Sequence, residues 1–245
     1  MIEQDVEIKT EDGVMPAFVT RPEEGGPFPP VFFYMDAPGI REELRDMARR
    51  IASVGYYVVL PNLYYRQGAP VDLPLATDKD REEMFGLMRG IGNRMIVEDT
   101  QNLIDFSTGE GDAKGGPIGV VGYCMSGPFV TAIAAAYPDQ VAASASIYGA
   151  GLVTDHSDSP HLSVGDIKGE MYFACAETDA WAPKETIEAL ETTLKAAGTN
   201  YRIEWFPETE HGFAFPQRPV YHKAAAERHW ERLFAMFDRT LRSPA

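Results

Sequence analysis

Eight short apolar runs rich in β-branched and aromatic residues punctuate the chain: VEIKT, MPAFVT, PVFFYMD, YYVVLPN, PIGVVGY, ASASIYG, MYFACAE and YRIEWFP. Runs of this length and make-up predict strands. The middle ones are almost continuously apolar, a pattern a strand can carry when both its faces are covered, as in a parallel sheet. Helical patterns fall between them, at roughly 41–54, 92–108, 126–137, 185–197 and 221–241. The last holds Trp230, Leu233, Phe234 and Phe237 at helical spacing, a stripe that faces a core. Strand and helix alternate from Pro30 onward, so the class is α/β: a mostly parallel sheet of about eight strands with helices on both faces. The first two runs are close together and joined through EDG, a turn signal, which predicts an antiparallel N-terminal edge.

A chain of 245 residues with 44% hydrophobic content can bury a sizeable core, and a single domain over 1–245 is expected. RPEEGGPFPP at 21–30 is then a linker inside that domain. Segment 63–91 looks irregular and has length to spare, which predicts a lid or a pocket wall. The formal net charge of −15 argues against nucleic acid and against an anionic membrane surface. No apolar run is long enough to span a bilayer, and the acidic start MIEQDVEIKT does not resemble a signal peptide, so a cytoplasmic location is expected. Two cysteines do not make a disulfide scaffold in a chain of this length. Cys175 lies inside a predicted strand and reads as core filler, out of disulfide reach of Cys124.

The stretch GVVGYCMSGPF at 119–129 sets a thiol where a strand stops and a helix begins. A nucleophile elbow needs a strand, a sharp turn with a reactive side chain at its apex, and a helix whose N-terminus faces the same space. Small residues must flank the apex two places on either side, and Gly122 and Ser126 do so around Cys124. The positive end of the following helix favours an anion at the apex. The N–H of Met125 would point into the same space as an oxyanion donor. Ser126 is a rival nucleophile, but it loses the strand–glycine–apex order.

In hydrolases of this architecture the nucleophile is followed along the chain by an acid and then a histidine. Asp179 comes just past MYFACAE, and His211 sits in a loop past YRIEWFP. All three would lie at the carboxyl edge of one sheet, where ligand crevices form. His211 would accept the thiol proton, and Asp179 would fix its tautomer. Taken singly, Asp179 could be a turn residue and His211 a solvated loop residue. His156 and His161 lie in the polar loop TDHSDSPHLS, and no metal site is expected there. His222 and His229 read as surface or packing residues of the last helix.

Taken together, GVVGYCMSG, CAETDAWAP, ETEHGFAFP, YMDAPGI and LPNLYYRQG resemble the dienelactone hydrolase family of α/β-hydrolases, from about residue 2 to 240. The resemblance implies the α/β-hydrolase fold and a cofactor-free hydrolase that opens cyclic enol-lactones and other esters through an acyl-cysteine. Carried over by position, Cys124, Asp179 and His211 form the triad, and the N–H groups of Ala37 and Met125 the oxyanion hole. Asp36 stands where better-known members have a glutamate against the resting thiol. Arg66 matches one carboxylate-binding arginine. The other, expected soon after the histidine, is replaced near Phe215, with Arg218 further on. Tyr64, Tyr65, Trp181 and Phe213 complete the expected substrate wall. The expected partner is a small ester or lactone, with an anionic group if Arg66 reads it. An acyltransferase or thioesterase with the same triad is the alternative, and a ligand-binding module without catalysis a more distant one.

Overall fold

The computed structural model describes residues 1–70, 72, 73 and 76–242. An eight-stranded sheet runs in the order β1-β2-β4-β3-β5-β6-β7-β8. The chain divides into two compact units, Met1–Gly116 and Pro117–Ala245.

In the first unit, β1 (Ile2–Thr10) and β2 (Gly13–Arg21) form the antiparallel hairpin, with Thr10 opposite Gly13. β2 is antiparallel to β4 (Tyr57–Pro61), and β4 is parallel to β3 (Pro30–Tyr34). Every residue of β3 and β4 is buried, as their continuous apolar runs require. β1 is mostly exposed and alternates with charge, which suits an edge strand. α1 (Glu42–Ser53) buries Leu44, Met47, Ala48 and Ile51, a single stripe at helical spacing. Its glutamates lie in the first turn and Arg50 in the last, each matched to the helix dipole. α3 (Asn93–Gly109) buries Ile96, Asp99, Thr100 and Leu103, so a carboxylate sits within its apolar stripe.

Between β4 and α3 the sequence predicts irregular chain. The structure instead forms a short 3-10 turn at Tyr65–Gln67 and a helix, α2 (Asp78–Arg89). α2 opens on a reciprocal capping box: Asp80 N–H donates to the Thr77 hydroxyl, and Thr77 N–H donates to the Asp80 carboxylate. It buries only Met84, so its apolar periodicity is faint, and the legible signal was the cap. Residues 71, 74 and 75 of the expected lid lie outside the described residues.

In the second unit, β5 (Ile118–Tyr123), β6 (Val141–Ile147), β7 (Glu170–Thr178) and β8 (Tyr201–Glu210) pair in parallel in that order. α4 (Gly127–Ala136) is apolar nearly all round and mostly buried. α5 (Lys184–Ala197) buries Ile187, Leu190 and Leu194, while α6 (Lys223–Phe237) buries Trp230, Leu233 and Phe237. Phe234, part of the predicted stripe, is half-buried and stacks on Trp230. The eight strands and five helices expected from the sequence are all present, and α2 is the addition.

Candidate active site

β5 stops at Tyr123, and a 3-10 turn at Cys124–Ser126 leads straight into α4. Cys124 sits at the apex with φ 56°, in the left-handed region that a cysteine seldom adopts. What surrounds it explains how the turn is held. A Cβ on Gly122 would lie 2.4 Å from the Ser126 carbonyl oxygen, so only glycine fits there. A Cβ on Gly127 would lie 2.3 Å from the Gly149 Cα, so α4 starts in close backbone contact with the end of β6. The Ala150 N–H donates to the Cys124 carbonyl at 3.0 Å and braces the turn from that side. The thiol is half-buried, and Cys124 and Cys175 are both free. Ser126 is fully buried beneath the turn, as is most of the Met125 side chain.

Asp179 directly follows β7, and His211 directly follows β8. Their side chains meet: His211 Nδ1 and Asp179 Oδ2 are 2.8 Å apart. The other carboxylate oxygen of Asp179 accepts the N–H groups of Trp181 at 2.8 Å and Ala182 at 3.1 Å, so the carboxylate cannot swing away. A carboxylate can only accept, so Nδ1 carries the proton of this bond. That leaves Nε2 as the exchangeable position. It is buried and has no hydrogen-bond partner among the described residues. Burial pushes the imidazole toward its neutral form. The hydrogen bond with Asp179, the nearby Cys124 sulfur and the charge on both outweigh burial and carry it up to about 9. Cys124 is thus close enough to bias the ring, although no well-aligned bond reaches Nε2 at rest. Tyr148, itself at φ 38°, sets its ring edge-on to His211 with centroids 5.0 Å apart.

Trp181 is 56% exposed, an unusual state for so large an apolar side chain. Phe213 is found elsewhere than on the expected substrate wall. It is fully buried, with its ring edge-on to Tyr148 and tilted against Phe206. The Arg218 guanidinium stacks over the Phe215 ring, 4.7 Å from its centroid, and lies against Gly212. His229 is buried, with Nε2 bonded to the Tyr123 hydroxyl at 2.9 Å, and His222 caps α6 through Nδ1.

In the first unit, Asp36 and Ala37 follow β3 in a tight turn closed by Gly39 N–H to Asp36 O. The Tyr64 hydroxyl donates to the Ala37 carbonyl at 2.8 Å. Asp36 is fully buried, and Arg41 grips both its oxygens while also bonding Gly39 O and Glu43. Arg41 was not singled out in the sequence, although its place in GIREE, five residues after a buried acid, was the available signal. Arg66 forks onto Asp99 through both terminal nitrogens, at 2.7 and 2.8 Å, and its Nε donates to Asp12 at 2.7 Å. The Tyr65 hydroxyl donates to the same Asp99. The guanidinium is therefore engaged by carboxylates of its own unit. Among the described residues no cluster of three metal-ligating side chains occurs, and no helix is long and apolar enough to cross a membrane.

A parallel sheet whose strand ends carry an elbow, then an acid, then a histidine defines an α/β-hydrolase. Residues 15–241 match the dienelactone hydrolase family, and the chain belongs to it. A Methylorubrum extorquens protein assigned as a carboxymethylenebutenolidase is 30% identical over 237 residues, covering 95% of this chain and 79% of that protein. The Rhodococcus opacus carboxymethylenebutenolidase is 26% identical over 209 residues, 84% of this chain and 79% of that one. Among solved structures, a Klebsiella pneumoniae protein assigned as a dienelactone hydrolase superposes with a TM-score of 0.88 at 27% identity, covering 97% of this chain and 98% of that one.

Proposed function

We propose that this chain hydrolyses ester or lactone bonds through an acyl-cysteine, with Cys124 as nucleophile, His211 as base and acid, and Asp179 as orienting acid. The observation that carries the proposal is the bare, buried Nε2 of an imidazole whose other nitrogen is fixed by Asp179, beside a cysteine held at a left-handed apex. The thiol proton passes to Nε2, and the sulfur attacks the carbonyl carbon. A C–S bond forms, and the carbonyl oxygen takes the charge, received by the N–H group of Met125. Collapse breaks the C–O bond, and the leaving alkoxide takes the proton from His211. Water then attacks the thioester carbonyl and gives a proton to His211; collapse breaks the C–S bond, releases the acid, and the leaving sulfur of Cys124 takes the proton back from His211.

The names of the relatives support enol-lactones of the carboxymethylenebutenolide kind as the substrate class. An exposed Trp181 next to the acid suits a flat unsaturated ring. Two free cysteines, one of them the nucleophile, suit a reducing compartment such as the cytoplasm.

The test is turnover of 4-nitrophenyl acetate together with the intact mass of the quenched protein. An acetyl adduct on Cys124 is expected, and Cys124→Ala should lose about 10⁴–10⁶ in kcat, as deletions in related triads do. A Cys124→Ala protein that kept more than about a tenth of wild-type turnover would remove the proposal. Product ratios with added methanol separate hydrolysis from acyl transfer.

A further inference from the structure

β7 and β8 do not pair evenly along their length. Ala176 lies opposite Phe206, yet Thr178 lies opposite Glu210. Two steps along β7 thus match four along β8, so β8 carries two extra residues in a bulge at Pro207–Thr209. The consequence falls on the next residue of each strand, because Asp179 follows Thr178 and His211 follows Glu210. With even pairing, Asp179 would face Thr209, and His211 would stand two residues beyond it, roughly 6.6 Å too far along the strand. The bulge takes up that length and sets the two side chains 2.8 Å apart.

The bulge is locked by three hydrogen bonds. The Thr209 hydroxyl donates to the Phe206 carbonyl at 2.6 Å and accepts the Glu177 N–H at 3.3 Å. The Glu177 carboxylate accepts the Glu208 N–H at 2.6 Å. Glu208 is held at φ 59°, a conformation its side chain disfavours, so the lock opposes a real tendency to straighten. Pro207 has no N–H to leave unpaired where the ladder breaks. Thr209 is 2% exposed, which fits a hydroxyl that serves the backbone and not solvent.

We propose that Thr209 and Glu177 are positioning residues, which hold this bulge in the register that brings His211 level with Asp179. Granted His211 as base and Asp179 as its orienting acid, the assignment made above, the lock sets the geometry of the reaction without touching the substrate.

The experiment compares Thr209→Val, Thr209→Ser and Glu177→Ala with wild type. It measures kcat and KM on 4-nitrophenyl acetate and the titration of the His211 ring by NMR. Thr209→Val should lower kcat about ten- to a hundred-fold with KM nearly unchanged, because a misplacement of about 1 Å is enough. Its His211 midpoint should fall from about 9 toward 6.5 as the contact with Asp179 loosens. Thr209→Ser should restore both. Glu177→Ala, a truncation of an exposed side chain, should move both in the same direction by less. A folded Thr209→Val protein with the wild-type midpoint and kcat overturns the proposal. If Thr209→Val does not fold, a wild-type midpoint and kcat in Glu177→Ala overturn it instead. His211→Ala serves as the control for the underlying assignment. Full turnover there would remove the assignment, while the Thr209→Val midpoint would still report whether the lock aligns the pair.

Discussion

Two aspartates with buried side chains, Asp179 in one unit and Asp99 in the other, organise charge in contrasting ways. Asp179 holds His211, and Asp99 holds Arg66 and Tyr65. Their side chains are 2% and 1% exposed, and each spends both oxygens on hydrogen bonds. The difference lies in their partners. Among the described residues, His211 Nε2 is buried with no well-aligned hydrogen-bond partner, and the Cys124 sulfur is close by. Arg66 has its fork closed by Asp99 and its Nε closed by Asp12. A charged residue just past a parallel strand therefore has chemistry to offer only where an atom is left unsatisfied. Where all are met, the same residue types make a fastening.

The widest separation between the two regions should come from matched amide substitutions. Asp179→Asn should cut kcat by about 10³–10⁴ through the wrong imidazole tautomer, with little change in the urea midpoint. Asp99→Asn should leave turnover of the folded protein nearly intact. It should cost about 3 kcal/mol in stability, because it leaves the Arg66 charge poorly compensated in a largely buried place. Urea unfolding and steady-state kinetics on both variants check the pair. The reverse pattern would break the comparison.

A pH series sharpens it further. The folded His211 midpoint of about 9 lies above the ordinary 6.5. A raised value means that the contribution of His211's contacts with Asp179 and Cys124 to stability is fully present below about 6.5 and is lost as pH rises through about 9, up to about 3 kcal/mol in all. The urea midpoint of wild type should fall over that window, and the fall should shrink in His211→Gln. Arg66 is also pulled toward its neutral form by burial, but its bonds to Asp99 and Asp12 outweigh that and raise it, so the Asp99 region keeps its charge over the same window. A wild-type midpoint flat from pH 6.5 to 9 would contradict the raised His211 value.

What was legible in the sequence follows the same division. The strands were legible because burial on both faces writes itself as unbroken apolar runs in β3, β4 and β5. The elbow was legible because close backbone approach demands small residues at fixed offsets, as at Gly122 and Ser126. α2 was hidden because it buries little beyond Met84, so solvation and not packing sets its composition. Asp99 was hidden for another reason. A carboxylate inside the buried stripe of α3 announces that it needs a partner, but nothing local says that the partner is 33 residues earlier. The bulge in β8 was marked in the sequence only by Pro207 inside the strand, because an uneven register is a property of two strands.

Arg66 carries the finest distinction and the smallest expected effect. Its position past β4, with two tyrosines before it, is where a guanidinium could read a substrate carboxylate. Its geometry points the other way, because an incoming anion must compete with Asp99 and Asp12 for the same N–H groups. Two carboxylates already balance the cation, so little field is left to attract a third. The ring of Tyr65, 4.7 Å from the guanidinium carbon, fixes the group from a further side. Arg66→Ala should therefore change KM for carboxylate-bearing and neutral esters alike, by no more than about two- to three-fold, through loosening of the turn that follows β4. The measurement is the ratio of the two KM values in wild type and variant. A charged hydrogen bond to substrate is worth roughly 1.5–3 kcal/mol, so its loss would raise that ratio about ten- to a hundred-fold. A rise of that size would mean that Arg66 releases its aspartates when substrate arrives, and the contrast between an open dyad and a closed fastening would fail at the residue on which it is drawn.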